Sequence, residues 1–174
     1  MQINVAQLLK EPTGASRTVD VDGALALDQG DLSPVQGRAE LLRVSKGILV
    51  RGEFTTACHL VCSRCLKPFP QTLQFRTEEE FSPSIDVASG EDLPAPEDAS
   101  GFRIDDHHVL DLTELVRQHS LLAAPMKPLC RPDCAGLCPR CGANLNQQPC
   151  CCSDDAVTPF AAAFDKLKSA RKSR

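Results

Sequence analysis

Tryptophan and tyrosine are both missing from the 174 residues, which leaves seven phenylalanines as the only aromatic anchors for a core. Excess positive charge is missing too. Nineteen Lys and Arg against 23 Asp and Glu give a net charge of −4 and a pI near 5.5. That excludes a uniformly basic nucleic-acid-binding surface but leaves room for a local basic patch. No apolar run approaches the roughly 18 residues that crossing a membrane requires, so no membrane partner is expected. The opening segment, MQINVAQLLKEP, has no basic stretch leading into an apolar one, so it is not a secretory signal and a cytoplasmic chain is expected. There is no Gly-rich phosphate loop, no nucleophile elbow and no His-Glu-x-x-His pattern. The chain is therefore expected not to be an enzyme, and no small-molecule substrate is identified.

What is present is 42% apolar residues, enough for one globular domain and a small satellite lobe. Ten cysteines is a high count. In an exported chain they would form a disulfide scaffold. In a reducing compartment metal binding is the favoured use.

The first half reads as β-rich. Candidate strands run over 18–27, 35–45, 48–62 and 69–81, with Lys46-Gly47 as a two-residue turn. In the third of these, Ile48, Val50, Gly52, Phe54, Cys58, Leu60 and Cys62 alternate with Arg51, Glu53, Thr55 and His59, the period of a half-buried strand. An antiparallel meander follows. Residues 77–114 hold twelve acidic residues against Arg103 alone. Within them 84–101, rich in Pro, Gly and acid, reads as a mobile loop. It is either simply solvated or a surface for a basic partner.

A helix is predicted after Asp111, with Asp111 and Glu114 as a capping box and Leu112, Leu115, Val116, His119 and Leu122 on one face. His119 reads as a packed core histidine. His107 and His108 beside Asp105 and Asp106 read as solvated. A last helix is predicted from Thr158, with Pro159 at its first position and Phe160, Ala163, Phe164 and Leu167 as its apolar stripe. Lys166, Lys168, Arg171, Lys172 and Arg174 gather at its end, where they complement the helix dipole. The stripe either docks on the body or serves, with the basic tail, as a partner-binding element.

The strongest motif lies between Cys130 and Cys152. Zinc takes four thiolate or imidazole ligands in a tetrahedron, and two cysteines on a tight turn supply half of it. Cys138-Pro-Arg-Cys141-Gly142 is such a knuckle: Pro pre-sets the turn and Gly142 permits positive φ. Cys150 and Cys152 can supply the other half, with Ala143-Asn-Leu-Asn146 as a hairpin tip and Cys151 as a non-ligand. The competing set is Cys130, Cys134, Cys138 and Cys141. This segment has little apolar surface to bury, so a cross-link must order it, and metal binding supplies folding free energy directly. An iron–sulfur cluster would use the same four thiolates. Cys58 shares a strand face with Phe54 and Leu60 and reads as core. Cys62 and Cys65 have three uses open: half of a second zinc site completed by Cys130 and Cys134, a redox pair, or inert thiols. A redox pair would want the motif opening a helix.

Taken together, Cys62-Ser-Arg-Cys65-Leu-Lys-Pro-Phe69 after a strand, Gly136-Leu-Cys-Pro-Arg-Cys-Gly-Ala-Asn-Leu-Asn146, the final Cys-x-Cys and the terminal Pro-Phe-Ala…Leu-Lys segment resemble the YceD-like family, the large ribosomal RNA subunit accumulation proteins. The resemblance covers roughly residues 35 to 170. It implies a non-catalytic factor needed for normal levels of large-subunit ribosomal RNA. Its partner would be a ribosomal RNA precursor or a ribosomal or assembly protein. Not all members are expected to carry the C-terminal cysteine cluster, so zinc would be a scaffold. The expected fold is α+β: an antiparallel β-meander or barrel-like body over 1–125, then a zinc-binding lobe with a terminal helix and basic tail over 126–174. The rival function is a thiol redox protein or redox-sensing chaperone using Cys62 and Cys65.

Overall fold

The computed structural model describes residues 1–26, 32–94 and 101–152. The terminal helix predicted from Thr158 lies outside them, as do 95–100 of the acidic loop and Leu27 of the first predicted strand. The described elements in chain order are β1 (Gln2–Asn4), α1 (Ala6–Lys10), β2 (Ser16–Ala26), β3 (Leu32–Arg43), β4 (Ile48–Val61), β5 (Pro68–Pro83), β6 (Phe102–Ile104), β7 (Val109–Asp111) and α2 (Thr113–Ala123). The chain divides into two compact units. One comprises Met1–Cys62 and Lys67–Cys130; the other comprises Ser63–Leu66 and the described residues from Arg131 onward.

In the first unit a five-stranded sheet runs in the order β2-β3-β4-β5-β6, and β1 pairs separately with β7. The meander from β2 to β5 is antiparallel, as the alternation predicts. Two expectations are corrected. First, β6 lies parallel to β5, with Phe81 opposite Phe102. Second, the sheet is open rather than barrel-like. It ends on β2 and on a three-residue β6, and these two do not pair. Its two faces also differ as an open antiparallel sheet requires. One carries Val21, Val35, Leu41, Val50, Phe54 and Phe81 into a core completed by Leu8 and Leu9 of α1, Leu110 of β7, and Leu115 and Val116 of α2. The other presents charge to solvent, with Arg38 on Asp20 at 2.9 Å, Arg51 on Glu78 at 3.0 Å and Arg76 on Glu53 at 2.8 Å.

Local chemistry accounts for the departures. The β3–β4 connection is four residues, not two, because Arg43 is opposite Ile48 and Val44 N–H donates to the Gly47 carbonyl. Gly47 is needed for space: a Cβ there would lie 2.0 Å from the Phe81 carbonyl oxygen. No capping box forms on α2. Glu114 turns forward to the Arg117 guanidinium and the Gln118 amide, while Asp111 accepts from the Thr113 amide and hydroxyl. Leu122 is not on the buried stripe; it is 80% exposed, and Ser120 takes the buried place in the last turn by donating to the Arg117 carbonyl at 2.8 Å. His119 is partly exposed, with Nε2 3.5 Å from a Glu79 carboxylate oxygen. Residues 84–94 form a hydrogen-bonded turn closed by an Ile85–Asp92 pair. Asp86 accepts the amides of Ala88 and Ser89 there, which holds its carboxyl below the usual range. His107 and Asp106 stand exposed.

Candidate metal centres

Two knuckles of the same construction carry four of the ten cysteines. In the first, β4 runs into Cys62-Ser-Arg-Cys65, Cys62 N–H donates to the Lys67 carbonyl at 2.9 Å, and Leu66 takes φ +55°. In the second, Cys138 N–H donates to the Ala143 carbonyl at 2.8 Å and Gly142 takes φ +71°. In both, the first cysteine's amide reaches five residues on and the residue after the second cysteine is left-handed. That winding turns two sulfurs toward one point. Gly142 announces it in the sequence; Leu66 does not.

The sulfurs of Cys138, Cys141, Cys150 and Cys152 all lie within 4.8 Å of one another, and so do those of Cys62, Cys65, Cys130 and Cys134. Among the described residues these are the two groups that could hold a metal ion; a mixed set of Cys130, Cys134, Cys138 and Cys141 is not one of them. A tetrahedron with metal–sulfur bonds of ~2.3 Å has sulfurs about 3.8 Å apart, so each group suits a single ion with small adjustment. A multi-iron cluster, with sulfide bridges between its irons, would need its four thiolates further apart.

Electrostatics points the same way in the second group. The amides of Cys141 and Arg140, with a hydrogen bond from the Cys150 thiol, bring the Cys138 thiol down to about 6. The Cys152 thiol is pushed up to about 12, first by its hydrogen bond to the Cys141 sulfur and then by burial and the neighbouring sulfurs. Four sulfurs this close cannot all ionise unaided; a cation among them removes the conflict and displaces the protons. Cys151 is exposed. Cys58 is buried on β4, its thiol donates to the Gln71 carbonyl at 3.5 Å, and burial raises its pKa.

Second-unit contacts absent from the motif reading frame Cys134. The Arg64 guanidinium donates to the Cys134 carbonyl at 2.8 Å, and Leu137 N–H donates to the Arg64 carbonyl at 3.1 Å. The signal that could have found Arg64 is the repeat of Cys-x-Arg-Cys in both knuckles. The expected hairpin tip at 143–146 is corrected: these residues lie against 135–138, through Leu145 N–H on the Gly136 carbonyl and a Leu137–Asn144 pair, and the turn is the Cys138–Gly142 knuckle itself. Phe160, Phe164, Leu167, Lys166, Lys168, Arg171 and Lys172 lie outside the described residues.

The described residues thus define an α+β protein with an open, mostly antiparallel sheet, few helices and two four-cysteine groups. The chain belongs to the YceD family: the family model described as large ribosomal RNA subunit accumulation protein YceD matches residues 50–168. An uncharacterised protein of Mycobacterium tuberculosis is 36% identical over 125 residues, covering 72% of this chain and 57% of that protein. A large ribosomal RNA subunit accumulation protein YCED homolog 1, chloroplastic, of Arabidopsis thaliana is 27% identical, over 72% of this chain and 46% of that protein. The chain therefore spans about half the length of the curated relatives it matches. No solved structure matches it. Among the described residues no helix is long and apolar enough to cross a membrane.

Proposed function

We propose that this chain is a non-catalytic cytoplasmic factor that supports accumulation of large-subunit ribosomal RNA, and that structural zinc in the two cysteine groups orders its C-terminal part. It acts as an adaptor in ribosome biogenesis, with a β-rich body over 1–125 and a metal-binding lobe over 126–174. The observation that carries the reading is the coincidence of the two: the family match spans 50–168 and contains both four-sulfur groups. A four-thiolate zinc has no open position for substrate, so the ion is scaffold rather than Lewis acid. Cys62 and Cys65 sit on the turn between β4 and β5 and open no helix. That favours ligands over a redox pair.

Two surfaces are assigned to partners. The open sheet face carries Asp20, Asp22, Glu40, Glu53, Glu78 and Glu80 against Arg38, Arg51 and Arg76. It suits a basic ribosomal or assembly protein better than a phosphate backbone. The second partner element is the sequence segment carrying Phe160, Phe164 and Leu167 with Lys166, Lys168, Arg171 and Lys172, and any direct contact with precursor RNA runs through its lysines and arginines.

The test has two arms. Elemental analysis is expected to give close to two zinc per chain, and close to one in both Cys62→Ser and Cys138→Ser. Metal-free wild type, or two rapidly alkylated thiols at Cys62 and Cys65 forming a reversible disulfide, would install the redox reading instead. In cells lacking the protein, the ratio of large- to small-subunit ribosomal RNA is expected to fall and to recover with the full chain. Full recovery with a chain lacking residues 158–174 would remove the terminal segment from the partner surface.

A further inference from the structure

The loop between Cys141 and Cys150 does more than close its own cysteine group. At its end the Asn146 amide is saturated. Its Nδ2 donates to the Cys134 sulfur at 3.4 Å and to Asn144 Oδ1 at 2.8 Å. Its Oδ1 accepts from the Arg131 guanidinium at 2.6 Å and from the Ala135 amide at 2.8 Å. Asn146 N–H closes the loop on Asn144 Oδ1 at 3.0 Å. Both donor hydrogens and both acceptor lone pairs of one neutral side chain are used. They go to the sulfur of one group, to the residues flanking that sulfur, and to the loop of the other group.

We propose that Asn146 is a positioning residue for Cys134, so that the loop between Cys141 and Cys150 sets the metal affinity and thiol reactivity of the Cys62, Cys65, Cys130, Cys134 group. The inference rests on the reading that both groups bind metal. A four-thiolate zinc centre carries a formal charge of −2. An N–H aimed at one sulfur draws off part of that charge, strengthens the hold on the ion and blunts the sulfur as a nucleophile. Neutral amide is the suitable chemistry: aspartate would keep the acceptor for Arg131 and Ala135 but present a carboxylate oxygen to the thiolate. Partners of this kind, one step out from the ligands, typically alter metal affinity by about 10–100-fold.

The experiment uses the full metal-loaded chain with Asn146→Asp, Asn146→Ala and Asn144→Ala. N-ethylmaleimide modification is followed over time at each cysteine by mass spectrometry, with zinc counted in parallel. In wild type all eight cluster thiols react slowly. In Asn146→Asp, Cys134, Cys62, Cys65 and Cys130 are expected to react at least about tenfold faster and one zinc to be lost to a mild chelator. Cys138, Cys141, Cys150 and Cys152 should keep their wild-type rates. Asn144→Ala retains the donor to sulfur and is expected to show a smaller effect at the same four thiols. If Asn146→Asp behaves as wild type at Cys134, or only the Cys138 group accelerates in any variant, Asn146 serves its own loop alone and the inference is overturned. Wild type that binds no zinc and reacts rapidly at all eight thiols overturns the metal reading first, before any variant is compared.

Discussion

Removing the metal is expected to unfold the cysteine-bearing unit and leave the sheet folded. Among the described residues the buried apolar side chains of that unit are those of Cys65, Cys134 and Cys138, whereas the aliphatic and aromatic core runs from Val5 to Val116 and takes nothing from it. Fixing a residue's backbone costs about 1–2 kcal/mol, so three buried cysteines fall far short of ordering residues 131–152. A structural zinc contributes about 10–16 kcal/mol in finger peptides near neutral pH, a term far larger than the burial of three cysteines. The assay is amide hydrogen exchange on the full chain with and without excess chelator. The reporters are Leu137, Cys138 and Leu145, whose N–H groups donate to Arg64, Ala143 and Gly136 carbonyls. If only about 4 kcal/mol of the loading energy reaches these amides, their exchange accelerates by about 10³ on chelation. The central amides of β3 and β4 should change little. Equal protection of the three reporters with and without metal would refute the reasoning, because the lobe would then be ordered by something other than the ion.

Three further outcomes are expected. Gly47→Ala places a Cβ 2.0 Å from a backbone oxygen of β5 and should lower stability by about 1–3 kcal/mol, seen as a lower urea midpoint at unchanged slope. Leu66→Gly should raise stability of the metal-loaded protein by about 0.5–1 kcal/mol. Leu66 holds φ +55° while 62% exposed, and relief of ~1–2 kcal/mol of left-handed strain outweighs glycine's extra unfolded-state entropy. Burial would raise the Asp111 carboxyl, but hydrogen bonds from Thr113 and the chain's terminal amine hold it down to about 2. A carboxyl lower in the folded than the unfolded state stabilises above about pH 4, and that contribution is lost as pH falls toward 2. Asp111→Asn should therefore flatten the acid limb of a melting-temperature profile between pH 4 and pH 2.

Features with a local period were legible in the sequence, and features set by distant partners were not. The alternation along β4 places Val50 and Phe54 inward and Arg51 and Glu53 outward without any structure. Three-residue strands carry no period, so β1, β6 and β7 are invisible until Phe81 meets Phe102 or Leu110 meets Ile3. The capping box failed because Arg117, three residues on, competes better for Glu114 than the backbone amide behind it. The knuckle at Cys138 was readable from Pro139 and Gly142. Its twin at Cys62 was readable only as Cys-x-x-Cys spacing, with ligand, redox and inert uses left open, because a leucine stands in the glycine position; Asn146 was concealed because its partners are an arginine fifteen residues back and a sulfur twelve residues back.

The two groups also differ in how far the chain must travel to assemble them, and this predicts an order of loading. The longest span inside the second group is nine positions, Cys141 to Cys150; inside the first it is 65, Cys65 to Cys130. Loop-closure entropy grows as 1.5RT ln n, so the first group costs about 1.8 kcal/mol more to close from an unfolded chain, a factor of about 20. The second group can therefore capture zinc locally, while the first waits for β4 and the segment after α2 to be in place. Loading the second group also fixes residues 143–146, and Asn146 then holds the Cys134 sulfur. The coupling is thus asymmetric in refolding. Cys138→Ser should slow zinc uptake by the Cys62 group, measured by stopped-flow competition with a chromogenic chelator. Cys62→Ser should leave uptake by the Cys138 group at its wild-type rate. The opposite asymmetry would mean that the long-range group forms first and that the Cys138 group follows it.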